Sequence, residues 1–290
     1  MISIVVCSVY KEMFEALERN IGHTIGTEYE LIRIDNGRNT YSLAQAYNKG
    51  AKEAKGDLLC FVHEDVKFHT QDWGKVVLMA FTEPSLGLLG IAGTYYYPLP
   101  PVGWFSLNEN EISVILHLNR SGGEVRRLSL SKFPDRQLVE VAVIDGVFMV
   151  MPSALFPAVS FDEVLLHDFH GYDVDISLQA GLQYKVAVTK DILLEHFSEG
   201  EKGLQWHSAM EAIEKKWRQN LPRFTKAYSE KSAREPAIAA LNIYYRNTIQ
   251  SPRRFLQRFI RLFGYAVQRG MVWQAVKIIL RSWFKRQRQW

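Results

Sequence analysis

The first sixty residues switch repeatedly between short apolar runs and stretches of helical period. Ile2 to Val9, in ISIVVCSVY, is a nearly unbroken β-branched run and predicts a buried strand. Lys11 to Asn20 follows with helical spacing, and Tyr29 to Ile34 reads as a second strand that stops at the turn-forming Asp35-Asn36-Gly37. A helix rich in Ala and Lys over Leu43 to Ala54, closed by Gly56, leads to a third strand, Leu58 to Val62, which runs into His63-Glu64-Asp65. Strands alternating with helices predict an α/β fold whose parallel sheet is joined by right-handed crossovers. Ligands collect beyond the carboxyl ends of such strands, and both Asp35 and the His63 to Asp65 cluster fall there.

The pattern changes between residues 95 and 136. Tyr95-Tyr96-Tyr97, Pro98, Pro100, Pro101, Trp104 and the pair Gly122-Gly123 predict a long, partly irregular excursion, the kind of segment that carries specificity. Its aromatic residues read mainly as packing, with stacking on sugar rings as the alternative. The apolar run Val139 to Met151, broken at Asp145-Gly146, returns the chain to the sheet. Phe161-Asp162-Glu163 and Tyr172-Asp173-Val174-Asp175 then precede a helix, followed by a strand near Tyr184 to Val188 and by Leu193 to Gly200, which contains His196. In the tail, Phe255, Phe259, Leu262, Phe263 and Ala266 share one helical face, and Val272, Val276, Ile279, Leu280 and Trp283 share another after a break at Gly270.

Charge sharpens this division. Of the 35 Lys and Arg in the 290 residues, ten lie in residues 251–290, which contain no Asp or Glu, so the preceding body carries a small acidic excess. The expected organisation is a catalytic domain over residues 1–225 and a basic, amphipathic helical extension over 226–290. Basic helices with Phe and Trp on an apolar face suit an anionic membrane surface. A partner-binding or homodimer-forming helical pair is the alternative, and no nucleic-acid reading motif accompanies the charge. The two cysteines, Cys7 and Cys60, sit in strand-like runs and indicate reduced, buried thiols. No apolar run reaches the roughly 18 residues needed to span a bilayer, and Met1 leads straight into the first strand without a secretory leader. The expectation is a cytoplasmic protein, peripheral at the inner face of a membrane.

Acidic residues at strand ends can accept a hydrogen bond from a base or ribose, hold a divalent cation against phosphate, or act as a general base. The ordered set ISIVVCSVY, IDNG, AYNKG, LLCFVHEDV, FDE, GYDVD and EHFSEG, over roughly residues 1 to 200, resembles the family 2 glycosyltransferases of the GT-A fold. That resemblance implies a Rossmann-like mixed sheet flanked by helices. It also implies inverting, metal-dependent transfer of a sugar from a nucleoside diphosphate donor, UDP-linked by analogy, to a surface polysaccharide or lipid-linked glycan.

Carried over by motif, Asp35 contacts the base, with Val9 beside it on the nucleotide side. Glu64 lies toward the ribose, Asp65 reaches both nucleotide and metal, and His196 joins the metal shell. Asp173 is the general base, while Asp145, His170 and Tyr172 lie on the acceptor side. A carboxylate with an imidazole suits Mn²⁺ better than Mg²⁺. The chain departs from the family pattern at His63, at Tyr172 and at Tyr47, where relatives carry acidic, acidic and Arg residues; Gln179 stands in place of a further Arg. His63 reads as a structural histidine. A nucleotidyltransferase would need a Gly-rich basic loop after the first strand, which Ser8-Val9-Tyr10-Lys11 does not supply; a non-catalytic scaffold with this fold is the remaining alternative.

Overall fold

The computed structural model describes residues 1–104, 111–113, 115–118, 125–127, 138–197, 203–225, 234–249, 255–268 and 270–287. Gly122, Gly123 and Gly200, and the side chains of Phe255, Phe259, Leu280 and Trp283, lie outside what it describes.

The amino-terminal half runs β1 (Ile2–Ser8), α1 (Lys11–Thr24), β2 (Tyr29–Asp35), α2 (Leu43–Glu53), β3 (Leu58–Val62), β4 (Val66–Phe68), α3 (Trp73–Ala80), β5 (Leu86–Gly90), β6 (Ala92–Thr94) and β7 (Tyr96–Tyr97). Short strands β8 (Glu111–Ser113), β9 (Ile115–Leu118), β10 (Val125–Arg127), β11 (Leu138–Glu140) and β12 (Val143–Ile144) precede the long β13 (Phe148–Pro152). Then come α4 (Tyr172–Ala180), β14 (Lys185–Thr189), β15 (Leu194–His196), α5 (Leu204–Trp217), β16 (Arg223–Phe224), α6 (Arg234–Ile249), α7 (Phe255–Gln268) and α8 (Val272–Gln287).

The central sheet has seven strands in the order β11-β14-β5-β13-β3-β1-β2. β1, β2 and β3 are parallel neighbours, β14 is parallel to β5, and β13 runs antiparallel between β3 and β5. Every residue of β1 and β3 is buried, as their unbroken apolar sequences require of strands covered on both faces. The described start of the 95–136 segment stays in the core: Tyr95, Tyr96, Tyr97 and Trp104 are all buried, and β7 pairs with β16. Cys7 and Cys60 are free and buried; burial raises both thiols, Cys7 to about 11.

Two local features fix α2 under the site. Ser42 and Gln45 form a reciprocal capping box at its start. Gly50 faces Val5 so closely that a Cβ there would stand 2.2 Å from the Val5 side chain, which explains a glycine inside a helix. Two residues before Gly50, Asn48 donates to the Phe161 carbonyl and to Glu163, and accepts from the Phe161 amide, which anchors the Phe161-Asp162-Glu163 segment.

A second sheet, β10-β9-β15-β4, lies at the carboxyl edge of β3. In the tail, α6, α7 and α8 pack on one another, with the predicted break at Gly270 in a left-handed conformation. Leu262 and Ala266 are buried as the α7 pattern predicts. In α8 the buried positions are Ala275 and Ile278, so its covered face is rotated from the one read from Val272 and Val276. Much of the tail's apolar surface thus closes the protein's own core, near Tyr96 and Leu99, leaving Ile260, Val267 and Trp273 exposed.

Candidate active site

Parallel pairing brings the ends of β1, β2 and β3 to one edge. Ser8 is level with Asp35, so the segments after both strands and the His63-Glu64-Asp65 segment after β3 share that edge. Asp35 is exposed, and one of its oxygens accepts from the Gly37 amide, an Asx turn that holds the carboxylate at the strand end. Asn36, buried beneath it, donates to the Tyr41 carbonyl and accepts from the Tyr41 amide, closing the loop.

Glu64 accepts from the backbone amides of Val9 and Tyr10, at 3.0 to 3.2 Å, with both oxygens. Tyr10 is the residue capping α1, so the carboxylate sits where the helix dipole favours negative charge. Val9 and Glu64, both read as nucleotide-side residues, are therefore in direct contact.

Asp65 and His196 meet because β15 pairs antiparallel with β4, His196 opposite Val66, with the Phe197 amide donating to the Asp65 carbonyl. His196 Nε2 lies 3.3 Å from Asp65 Oδ1, and His63 Nδ1 lies 3.9 Å from the same oxygen. His63, Asp65 and His196 each offer one ligand atom, and all three atoms fall within 4.8 Å of one another. Burial works to raise the Asp65 pKa, but the hydrogen bond from His196 and the charges of His196 and His63 outweigh it and hold the carboxyl below its ordinary value. Burial, with the neighbouring His196 charge, lowers the His63 pKa. A deprotonated carboxylate and a neutral imidazole are the forms a metal requires, so this donor set fits a divalent cation.

His63, which the sequence presents as structural, also stands among the atoms that could hold a cation. The other ring nitrogen of His63, Nε2, is 2.7 Å from the Tyr172 hydroxyl.

Tyr172 and Asp173 do not precede α4 but form its first turn, after Gly171 in a left-handed conformation. Asp173 is partly buried, and its pKa is raised to about 7, first by desolvation and then by the Asp145 carboxylate, against the backbone amides of Val174, Asp173 and Gly146. Asp145 accepts from the Val147 amide in the turn between β12 and β13. Gly146, beside it, lies against Tyr172: a Cβ there would be 2.2 Å from the phenolic oxygen. Tyr172 is buried, whereas His170 is half-buried in the loop leading to α4.

Asp175, on the same helix, faces away from this chemistry. It is fully buried and accepts from Trp217 Nε1, Gln179 Nε2 and Lys216 Nζ, while Lys216 also reaches Asp162. Burial opposes the Lys216 charge, but these carboxylates outweigh it and raise its pKa. This network ties α4 to α5 and to the Asp162 segment, and nothing in the local sequence around Lys216 announces it.

Strand-end carboxylates, an imidazole-carboxylate cluster and a carboxyl raised to about 7 form a candidate site at one edge of an α/β sheet. Residues 3–228 match the model of a glycosyltransferase-like family, and the chain belongs to that family; its mixed sheet flanked by helices is the architecture that the resemblance to GT-A glycosyltransferases implies. No curated protein sequence matches it significantly.

Among solved structures it is similar to GalNAc-T7 with UDP, GalNAc and Mn²⁺, at 12% identity and a TM-score of 0.48, over 68% of this chain; it spans only 44% of that one. It is similar to S. aureus TarS in complex with UDP-GlcNAc (12% identity, TM-score 0.45, 91% of this chain and 71% of that one covered). A mannosyltransferase from Pyrobaculum calidifontis in complex with GDP-Man and Mn²⁺ is a third (9% identity, TM-score 0.46, 98% of this chain and 87% of that one covered).

Proposed function

We propose that this glycosyltransferase moves a sugar from a nucleoside diphosphate donor to an acceptor hydroxyl by a single inverting displacement, through a catalytic unit over residues 1–225. The observation that carries the reading is the meeting, at the carboxyl edge of the sheet, of the His63, Asp65 and His196 cluster with the first turn of α4, where Asp173 titrates near 7. Asp35 accepts from the base, and the segment at Val9 and Glu64 lines the ribose side. Asp173 takes the proton from the acceptor hydroxyl; a base near the working pH contributes on the order of 10² to 10⁴ in rate. Asp145 keeps that carboxyl basic, and His170 and Tyr172 border the acceptor. Asp65 and His196 hold a divalent cation, Mn²⁺ in preference to Mg²⁺, which when bound offsets charge on the departing diphosphate.

Calorimetric titration with UDP, GDP and their sugar conjugates, with Mn²⁺ and with chelator, tests the donor site. Metal-dependent binding of one nucleotide family, lost in Asp65→Ala, is expected; no binding under any condition removes the reading.

The acceptor is a surface polysaccharide or lipid-linked glycan at the cytoplasmic face of a membrane, met by the basic extension over 226–290. Supporting this are the ten basic residues of 251–290 and the exposed Trp273, Ile260 and Val267. Among the described residues no helix is long and apolar enough to cross a membrane. Flotation on anionic vesicles is expected to recover the full chain and to lose a variant in which Trp273, Ile260 and Val267 are changed to Ser; equal recovery overturns membrane contact through this face.

A further inference from the structure

His63 presents its two ring nitrogens to two different partners. Nε2 meets the Tyr172 hydroxyl at 2.7 Å, and Nδ1 points toward Asp65 Oδ1 at 3.9 Å, on the side where His196 Nε2 approaches the same oxygen at 3.3 Å. A separation of 3.9 Å is too long for a hydrogen bond, but it suits two atoms that share one cation, since ligands about 2.1 Å from a metal stand roughly 3 to 4 Å apart.

The Tyr172 ring cannot withdraw from His63. It is buried, packs against Gly146, where even a methyl group would collide with the phenol, and has Tyr47 and Phe161 as ring neighbours. A tyrosine hydroxyl is a neutral phenol at physiological pH and can accept a hydrogen bond from the His63 Nε2–H. A neutral imidazole whose Nε2–H is held in this way has its lone pair on Nδ1.

We propose that His63 is the third cation ligand, through Nδ1, and that Tyr172 is the positioning residue that fixes this tautomer, making a two-imidazole, one-carboxylate site that discriminates against Mg²⁺. The inference rests on the cation reading under Proposed function and extends it from Asp65 and His196 to a residue of different chemistry. Imidazole nitrogen suits Mn²⁺ and the later first-row ions, whereas Mg²⁺ takes oxygen almost exclusively. Tyr172 adjoins Asp173, so the same helix turn that carries the base also orients the cation's ligand.

The test uses the full chain and Mn²⁺ alone, with free Mn²⁺ measured by electron spin resonance and bound nitrogens counted by spin-echo modulation. The wild type is expected to show two imidazole nitrogens and His63→Gln one, with at least about tenfold weaker Mn²⁺ binding. Tyr172→Phe keeps the fold, checked by circular dichroism, but weakens Mn²⁺ about 10- to 100-fold, the range for loss of a ligand's orienting partner. His63→Asp narrows the preference for Mn²⁺ over Mg²⁺ in competition.

Asp65→Asn and His196→Gln serve as references. If they lose Mn²⁺ while His63→Gln keeps wild-type affinity and nitrogen count, this proposal falls and the cation reading stands. If the wild type takes up no Mn²⁺, or the references bind as it does, both fall. Should His63→Gln fail to fold, a single nitrogen in the wild-type spectrum overturns the proposal by itself.

Discussion

Replacing Asp173 by Asn separates catalysis from stability in opposite directions. The folded carboxyl titrates near 7 and the unfolded one near the ordinary 3.8, so between these values the folded chain binds the extra proton. Its stability therefore falls as pH rises through that window, the penalty being absent below the unfolded pKa and complete above the folded one. A shift of this size corresponds in full to about 4 kcal/mol, at 1.36 kcal/mol per unit. Some 2 to 3 kcal/mol of it develops between pH 5 and pH 8; partial exposure of the side chain to solvent brings the expected difference to about 2 kcal/mol.

Asn is nearly isosteric and its carbonyl can still accept from Gly146, so the penalty should vanish with little repacking. Urea unfolding of both proteins without metal, at pH 5 and pH 8, reads the effect as the change in their stability difference. The variant is expected to gain about 2 kcal/mol on the wild type between the two pH values while losing 10² to 10⁴ in kcat, with donor affinity retained. The wild-type rate should rise with pH through an apparent pKa near 7. A stability difference that is the same at both pH values would refute the burial argument, and normal turnover in the variant would remove Asp173 as the base.

Three further substitutions probe the parts around it. Asp175→Ala leaves the Trp217 indole N–H without its buried acceptor and Lys216 with Asp162 alone, and should cost about 2 to 3 kcal/mol in urea unfolding; a loss below about 1 kcal/mol would show the network to be dispensable. Gly146→Ala forces a methyl group into the Tyr172 ring, with an expected cost of about 1 to 3 kcal/mol and weakened Mn²⁺ binding, whereas a variant unchanged in both would show that Tyr172 can move. Glu64→Gln removes the charge from the hydrogen bonds to Val9 and Tyr10 and should lower stability by about 1 to 2 kcal/mol, measured by thermal melting at neutral pH.

The strands that build the sheet were legible because their burial is written locally. Leu58 to Val62 is read at its observed bounds, and Ile2 to Val9, Tyr29 to Ile34 and Leu43 to Ala54 are each within a residue of the observed ends. What local pattern could not supply is pairing between distant segments. His196 reaches Asp65 only because β15 lies beside β4, a contact across about 130 residues of chain. His63 and Asp65 lie in the bend between β3 and β4, and a lone histidine beside two acids gives no indication in the sequence of where its second nitrogen points. The rotated face of α8 has a similar origin: Ala275 is a small residue chosen by its neighbours, and a hydrophobic-spacing argument ranks it below Val272 and Val276.

The positions at which the chain departs from the family pattern are not scattered. His63 touches Tyr172 through a hydrogen bond, and the Tyr172 ring stands edge-on to Tyr47 at 5.9 Å. Where the resemblance leads one to expect two acids and an arginine, three neutral or weakly basic rings lie against one another, so no member leaves an uncompensated charge buried. Tyr47 is buried with its hydroxyl unpartnered, a cost accepted beneath the site and not at its mouth. At Gln179 the missing arginine is likewise matched locally, by a neutral amide that spans Asp175 and Ser160. Changes that would each be unfavourable alone are compatible as a set. A single change such as Tyr47→Arg, made without acids at positions 63 and 172, should therefore destabilise this chain by several kcal/mol, because it puts a longer, charged side chain where a fully buried ring packs against Phe61, Phe161 and Tyr172.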